Sequence, residues 1–281
     1  MRCIARSTAG SAWAASQLDS SAHAALGDDA LKDFDNAGWV VDLPPSIQPV
    51  WVQRIRAIRQ ADRLSEAGQL DRAAADDIFL RLPAHVFAAD GPRALPAWTG
   101  YLAALRAFHR RDLRLPGLAD HRAMLDRLSG SLFQLVPFLS LPQFEAIRGL
   151  GVLDQFFNNL RDLAEDAAHG ICYFPDDVLA RARLRRDDVL GDRWRSTPGW
   201  PNLMRFWLDE YLPELELGAA RFDACDDLHP SVARLRSECR ARYLRILHRF
   251  RAVGFDFRCF AEEYWLEVRA REGANNATST R

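Results

Sequence analysis

The chain has almost no lysine: Lys32 is the only one, so nearly all of its 37 basic residues are arginines. These are balanced by 38 acidic residues, which gives a net charge of −1. There is therefore no overall basic field to attract nucleic acid or an anionic membrane, and we predict no nucleic-acid partner. A cationic group that binds an anion in this chain must be a guanidinium, which binds phosphate and carboxylate oxygens in a bidentate manner.

The chain also lacks paired cysteines and long apolar runs. Its five cysteines are scattered, and no two have C-x-x-C spacing, which predicts neither a disulfide framework nor a zinc site and favours a reducing compartment. The longest apolar candidate, residues 132–141, is shorter than the ~18 to 20 residues of a bilayer span and contains Pro137. The N-terminus has no continuous apolar region of a signal peptide. We predict a cytoplasmic location and leave membrane association open.

Apolar residues recur at helical spacing along most of the chain, and we find no alternating strand pattern or internal repeat. The predicted helices cover residues 47–66, 71–81, 96–113, 120–139, 142–168, 176–190, 202–217, 230–252 and 257–271. We therefore predict an all-α single domain over residues 41–272, with its helices around a central cavity. A poorly ordered segment, 1–40, precedes it, and a disordered tail, 273–281, follows it.

Polar side chains form a stripe on one predicted helix. Gln155, Asn158, Asp162 and Asp166 are three or four residues apart, so they share one face of a helix that is otherwise largely apolar. Carboxylates on such a helix are costly to bury unless a partner neutralises them. Carboxylate and amide oxygens suit Mg²⁺, which keeps several waters and is completed by substrate phosphates. The stripe predicts a magnesium site for a phosphorylated substrate.

The same segment resembles the second aspartate-rich motif of the squalene/phytoene synthase family. The family pattern, Q-x-x-N-x-x-R-D-x-x-x-D-x-x-x-G-x-x-Y-x-P, is matched by Gln155, Asn158, Arg161, Asp162, Asp166, Gly170, Tyr173 and Pro175. One departure is Ile171, which stands where the family usually has arginine. The resemblance implies the all-helical isoprenoid synthase fold.

A first aspartate-rich motif of the family resembles the string RQADRLSEAG, which follows Leu43-Pro44. Arg59, Asp62 and Glu66 match it in register, with glutamate in place of the final aspartate. The three also share one helical face. The same pattern is common on solvated helices. The resemblance implies that Asp62 and Glu66 are metal ligands together with Asp162 and Asp166.

The resemblance further implies head-to-head condensation of two prenyl diphosphates through a cyclopropylcarbinyl diphosphate. The four carboxylates would be the catalytic metal ligands, holding Mg²⁺ or Mn²⁺. The substrate-binding residues would be Arg59, Gln155, Asn158, Arg161 and Tyr173. Two alternatives remain, a non-catalytic assembly or scaffold protein and a terpene cyclase that uses one prenyl diphosphate. The sequence leaves open farnesyl or geranylgeranyl donors, a squalene- or phytoene-type product, NADPH use, oligomeric state and peripheral membrane contact for an apolar product.

Overall fold

The computed structural model describes residues 38–66, 93–191 and 193–267, and every regular element within them is helical. The helices are α1 (Gln48–Glu66), α2 (Ala94–Phe108), α3 (Leu118–Leu125), α4 (Ser131–Phe133), α5 (Leu141–Arg161), α6 (Leu163–Ala168), α7 (Asp176–Arg181), α8 (Arg186–Leu190), α9 (Gly199–Arg205), α10 (Leu212–Asp223), α11 (Pro230–Ala252) and α12 (residues 257–267). The predicted all-α class is confirmed for the described residues. The predicted helix 71–81, the 273–281 tail and nearly all of the 1–40 segment lie outside them.

Short 3₁₀ and π segments link several of these helices. The 3₁₀ segments are Gly38–Asp42 and Arg193–Ser196, and the π segments are Asp126–Gly130 and Phe206–Tyr211. The predicted helices 120–139 and 202–217 are therefore each interrupted by a π turn. Such turns are frequent at functional sites, and the first of them borders the cavity described below.

Helix α5 lies at the centre of the fold, and local chemistry sets where it begins. The backbone N–H of Ser140 donates to the Gln143 Oε1 atom over 2.9 Å, which closes a capping interaction before the first turn, and Pro142 occupies a position that needs no amide hydrogen. From this start α5 runs past both α10 and the first π segment.

Two glycines of α5 allow this close passage. A Cβ atom at Gly149 would lie 2.3 Å from the Gly218 carbonyl oxygen of α10. One at Gly151 would lie 2.2 Å from the carbonyl oxygen of Ser129 in the π segment. Backbone therefore meets backbone at both places, and no side chain fits between.

The predicted continuous helix 142–168 is wrong at one residue. Asp162 leaves helical geometry, with φ −91° and ψ 5°, and separates α5 from α6. Its backbone N–H still donates to the Asn158 carbonyl oxygen, and its own carbonyl accepts from Glu165 and Asp166. Backbone hydrogen bonds therefore continue across the break between α5 and α6.

Candidate active site

One cavity of about 230 Å³ opens between α1, α2, the first π segment, α5, α6 and α11. We call the α1 side the first wall and the α5–α6 side the second wall. The predicted site residues that line it are Arg59, Asp62, Gln155, Asn158, Arg161, Asp162, Asp166 and Tyr173. Glu66 is the last residue of α1, and its side chain lies outside the described part of the structure.

The rest of the cavity lining is mainly apolar and aromatic. This lining includes Trp51, Ile55, Tyr101, Leu105, Leu132, Phe133 and Leu235. Phe133 is in this lining, whereas Phe156 and Phe157 are not. Phe156 instead stacks on Trp207, and Phe157 stacks on Tyr243 with ring centroids 4.6 Å apart. The cavity lining therefore combines the polar residues of the two motifs with a remainder that is mainly apolar.

On the first wall, Asp62 is paired with Arg59 three residues earlier on α1. The His109 Nδ1 atom, which follows α2, lies 3.7 Å from the Asp62 Oδ1 atom. His109 was not singled out in the sequence, because nothing in its local pattern marks it. The end of α2 thus places an imidazole beside the Asp62 carboxylate.

On the second wall, Arg161 and Asp162 form a bidentate pair, with Nε–Oδ1 and Nη2–Oδ2 distances of 2.9 and 2.8 Å. Neighbours in sequence do not face each other on a regular helix, so this contact goes together with the break at Asp162. From the sequence we expected a bound cation to neutralise the stripe. The structure shows that arginines neutralise Asp62 and Asp162 within the protein.

The two amides of the stripe are oriented by hydrogen bonds. The Gln155 Oε1 atom accepts from the Ser129 hydroxyl over 2.7 Å, and its Nε2 donates to Asn159 over 2.8 Å. The Asn158 Nδ2 atom donates to Asp154 over 2.9 Å. Gln155 therefore connects α5 to the π segment, whereas Asn158 is held by a second, buried carboxylate.

The loop after α6 is fixed by a buried arginine. Arg186 donates to the carbonyl oxygens of Leu113, Arg111 and Gly170. Gly170 has φ 76°, a left-handed conformation that glycine adopts without strain. Ile171, which replaces the family's arginine, lines the cavity as an apolar residue. The positive charge of that arginine is therefore absent at this position.

One cysteine near the site is buried. Burial raises the pKa of Cys172 to about 11, so its thiol stays protonated at neutral pH. Cys172 is therefore a packed thiol. His169, by contrast, is exposed. His169, Glu165 and Asn159 also line the cavity.

The donor set suits a hard divalent cation completed by a ligand. Within the described ranges, no three His, Cys, Asp or Glu side chains are grouped closely enough for a ready-made metal site. Mg²⁺ is usually held by one or two carboxylates together with substrate phosphates and water. Asp62 on the first wall, and Asp162, Asp166 and the Asn158 amide oxygen on the second, are of that type. These are the residues that would hold it.

An all-helical structure with paired carboxylates and arginines around a cavity is consistent with the isoprenoid synthase fold. Residues 140–271 match the squalene/phytoene synthase family profile. The resemblance predicted from the second motif is thereby confirmed. The match includes the second wall, whereas Arg59 and Asp62 lie outside it.

Individual relatives agree with this assignment over shorter stretches. The chain is 34% identical to phytoene synthase 1 of Arabidopsis thaliana over 84 residues, and 40% identical to the 15-cis-phytoene synthase of Synechocystis over 85. These matches cover 29% and 28% of this chain. They span about a fifth of the relatives' own lengths, 19% and 23%. Among the described helices, none combines the length and apolar character needed to cross a membrane.

Proposed function

We propose that this protein is a prenyltransferase that joins two prenyl diphosphates head to head in the cavity. The observation that supports this most strongly is the convergence of two arginine–carboxylate pairs, one from each wall, on a cavity whose other walls are apolar. The phytoene synthases named above support head-to-head joining rather than cyclisation.

In this proposal the diphosphate lies between the two walls and the prenyl chain lies against the apolar lining. Bound Mg²⁺ would stabilise the negative charge of the departing diphosphate. Arg59 and Arg161 donate to the same oxygens, and Tyr173 and Gln155 shape the pocket around them. The apolar walls exclude water, so the allylic cation survives until the double bond of the second substrate attacks it. The attack leaves a tertiary cation on the second substrate, and loss of a proton to the departed diphosphate would close the cyclopropane ring. The cyclopropylcarbinyl diphosphate formed in this way keeps the diphosphate of the second substrate, and it would ionise by losing that group and then rearrange.

The structure offers two aromatic groups for the cation that the sequence did not indicate. Trp51 and Tyr101 line the cavity from α1 and α2, together with Phe133 from α4. An aromatic face attracts a cation through its quadrupole, and the attraction increases when water is excluded. These three rings are our candidates for cation stabilisation.

A specific observation favours a second candidate, the non-catalytic scaffold. The cost of unligated carboxylates argued against it, but Arg59 and Arg161 supply cationic partners for Asp62 and Asp162 without any metal. Such a protein would keep the fold and the pairs and would bind no diphosphate.

One experiment separates the candidates. Purified protein is incubated with Mg²⁺ and farnesyl or geranylgeranyl diphosphate, and the extract is analysed by mass spectrometry while melting is followed in parallel. A product with the mass of two joined chains supports the proposal, and one of a single chain indicates a terpene cyclase. Ligand at ~100 times its dissociation constant adds roughly 2.7 kcal/mol to the stability. No product and no increase in melting temperature would favour the scaffold.

A further inference from the structure

Asp154 is a buried carboxylate one helical turn before Asn158, and its side chain is 5% exposed. Its Oδ1 atom accepts from the Arg242 guanidinium and, over 2.9 Å, from the Tyr243 hydroxyl. Its Oδ2 atom accepts from the Asn158 Nδ2 atom over 2.9 Å. Asp154 and Arg242 also border the cavity, so this network forms part of its wall.

Chemistry fixes the direction of every hydrogen bond in this network. A guanidinium only donates and a carboxylate only accepts. Burial raises the pKa of Tyr243 well above its ordinary value, so its hydroxyl keeps its proton and donates. Asn158 must therefore turn its NH₂ group, and not its oxygen, toward Asp154.

The consequence is that the Asn158 amide oxygen is directed away from Asp154. In the part of the chain that the structure describes, no hydrogen-bond donor is recorded for this Oδ1 atom, and Asn158 lines the cavity one turn before Asp162. An amide oxygen suits a hard cation, whereas an NH₂ group in its place would repel one.

We propose that Asp154 and Arg242 are positioning residues that hold the Asn158 amide oxygen toward the cavity, where it ligates the cation that binds a diphosphate. The inference rests on the proposed function, because it requires a cation-dependent diphosphate site. Arg242 takes part by occupying one oxygen of Asp154 and leaving the other for Asn158. The two residues are 88 positions apart, so no local motif indicates their contact.

The test reverses the hydrogen bond. In Asp154→Asn, the single remaining oxygen stays with Arg242 and Tyr243, so the new NH₂ group faces Asn158 and forces its amide to turn round. The double variant Asp154→Asn/Asn158→Asp restores a donor–acceptor pair and again presents an oxygen to the cavity. Tyr243→Phe is the matched control, because it removes a donor to the other Asp154 oxygen and keeps the stacking on Phe157.

The measurement is calorimetric binding of inorganic pyrophosphate, with Mg²⁺ and again with EDTA. Loss of a residue that orients a metal ligand typically weakens metal affinity 10- to 100-fold. We therefore expect Asp154→Asn to raise the Kd measured with Mg²⁺ by roughly tenfold or more. The Kd measured in EDTA should be unchanged in Asp154→Asn and in Tyr243→Phe. Tyr243→Phe should stay close to wild type, and the double variant should regain most of the lost affinity.

Two results overturn the inference. Equal Mg²⁺-dependent binding by Asp154→Asn and wild type, or a double variant no better than a folded Asp154→Asn, would show that the network does not orient a ligand. Asp154→Asn removes the negative charge beside Arg242 and could for that reason fail to fold. In that case the Mg²⁺-dependent affinity of the double variant is compared with that of Tyr243→Phe, and a double variant with much weaker binding overturns the inference. A wild-type protein that binds no pyrophosphate in Mg²⁺ would instead refute the proposed function, and this inference with it.

Discussion

The two walls of the cavity contain the same kind of ion pair in different surroundings. On the first wall, the Arg59 and Asp62 side chains are 16% and 17% exposed. On the second wall, those of Arg161 and Asp162 are 3% and 12% exposed. A buried charge left without its partner is far more costly than a solvated one. Arg161 therefore supports the fold as well as the site, whereas Arg59 is the more accessible of the two arginines.

The largest effect should come from a carboxylate of the second wall. Asp166→Ala should reduce turnover roughly a thousandfold, because it removes a proposed metal ligand. Such a reduction corresponds to a loss of several kcal/mol of transition-state stabilisation. Product formation is measured under saturating substrate, with the exposed Glu216→Ala as the control. Near-normal turnover by Asp166→Ala would refute the metal-site assignment. Asp162→Ala should be equally inactive but also less stable, because it leaves Arg161 without this partner.

The comparison of the two pairs is tested directly by removing each arginine. Arg161→Gln should lower the free energy of unfolding by about 3 kcal/mol or more, as for a broken buried pair. Arg59→Gln should lower it by about 1 kcal/mol or less, as for a partly solvated pair. Urea unfolding of both variants gives the two values. Equal losses would mean that burial does not distinguish the walls.

The second wall should also be intolerant of added volume. Gly151→Ala places a Cβ atom against the Ser129 carbonyl oxygen and should cost about 2 to 3 kcal/mol through overpacking. At Gly218 a Cβ atom would meet only the Arg122 guanidinium, at 3.7 Å. Gly218→Ala should therefore be neutral or stabilising by up to about 1 kcal/mol, since alanine favours the helix. Similar melting temperatures for the two variants would contradict the packing described here.

A pH-dependent effect concerns His121, which lies behind the second wall and bonds to the Tyr211 hydroxyl over 3.0 Å. Burial lowers the pKa of His121 from 6.5 to about 3. As the pH falls, His121 therefore takes up a proton in the unfolded chain before it does so in the folded protein. Above pH 6.5 it is neutral in both states and the folded protein keeps its full stability. The free energy of unfolding decreases as the pH falls from 6.5 toward 3. At pH 5 the loss is 1.5 pH units at ~1.4 kcal/mol each, about 2 kcal/mol.

His121→Gln should remove this dependence. Between pH 7.5 and pH 5 its free energy of unfolding should fall by about 2 kcal/mol less than that of the wild type. Parallel pH profiles for the two proteins would show that His121 is not held neutral by the fold.

Some elements were predictable because their signals are local. Helix α11 was predicted at its observed bounds, since Pro230 starts it and the pattern of apolar residues is regular. Helix α1 was predicted to within one residue, after Pro44 and Pro45. The second-wall residues were predictable for the same reason, because their spacing on one helix places them together.

Other features depend on contacts that a sequence pattern does not contain. The break at Asp162 goes with the conformation of the Arg161 side chain, which spacing alone does not reveal. The orientation of Phe156 and Phe157 was not predictable, because both faces of a central helix are apolar. The contact between Asp154 and Arg242 was not predicted, because Arg242 lies on a distant helix. The involvement of Glu66 stays a prediction.

The passage of α5 between two other backbones limits how the substrate range of this protein can be redesigned. A larger residue cannot replace Gly149 or Gly151 without moving α5. Moving α5 would in turn displace the second wall. Changes in cavity size must instead be made on the opposite surfaces, at positions such as Tyr101, Leu105 and Leu132, whose side chains line the cavity from α2 and α4. A library directed at those three residues would vary the volume of the cavity while α5 keeps the proposed diphosphate site constant.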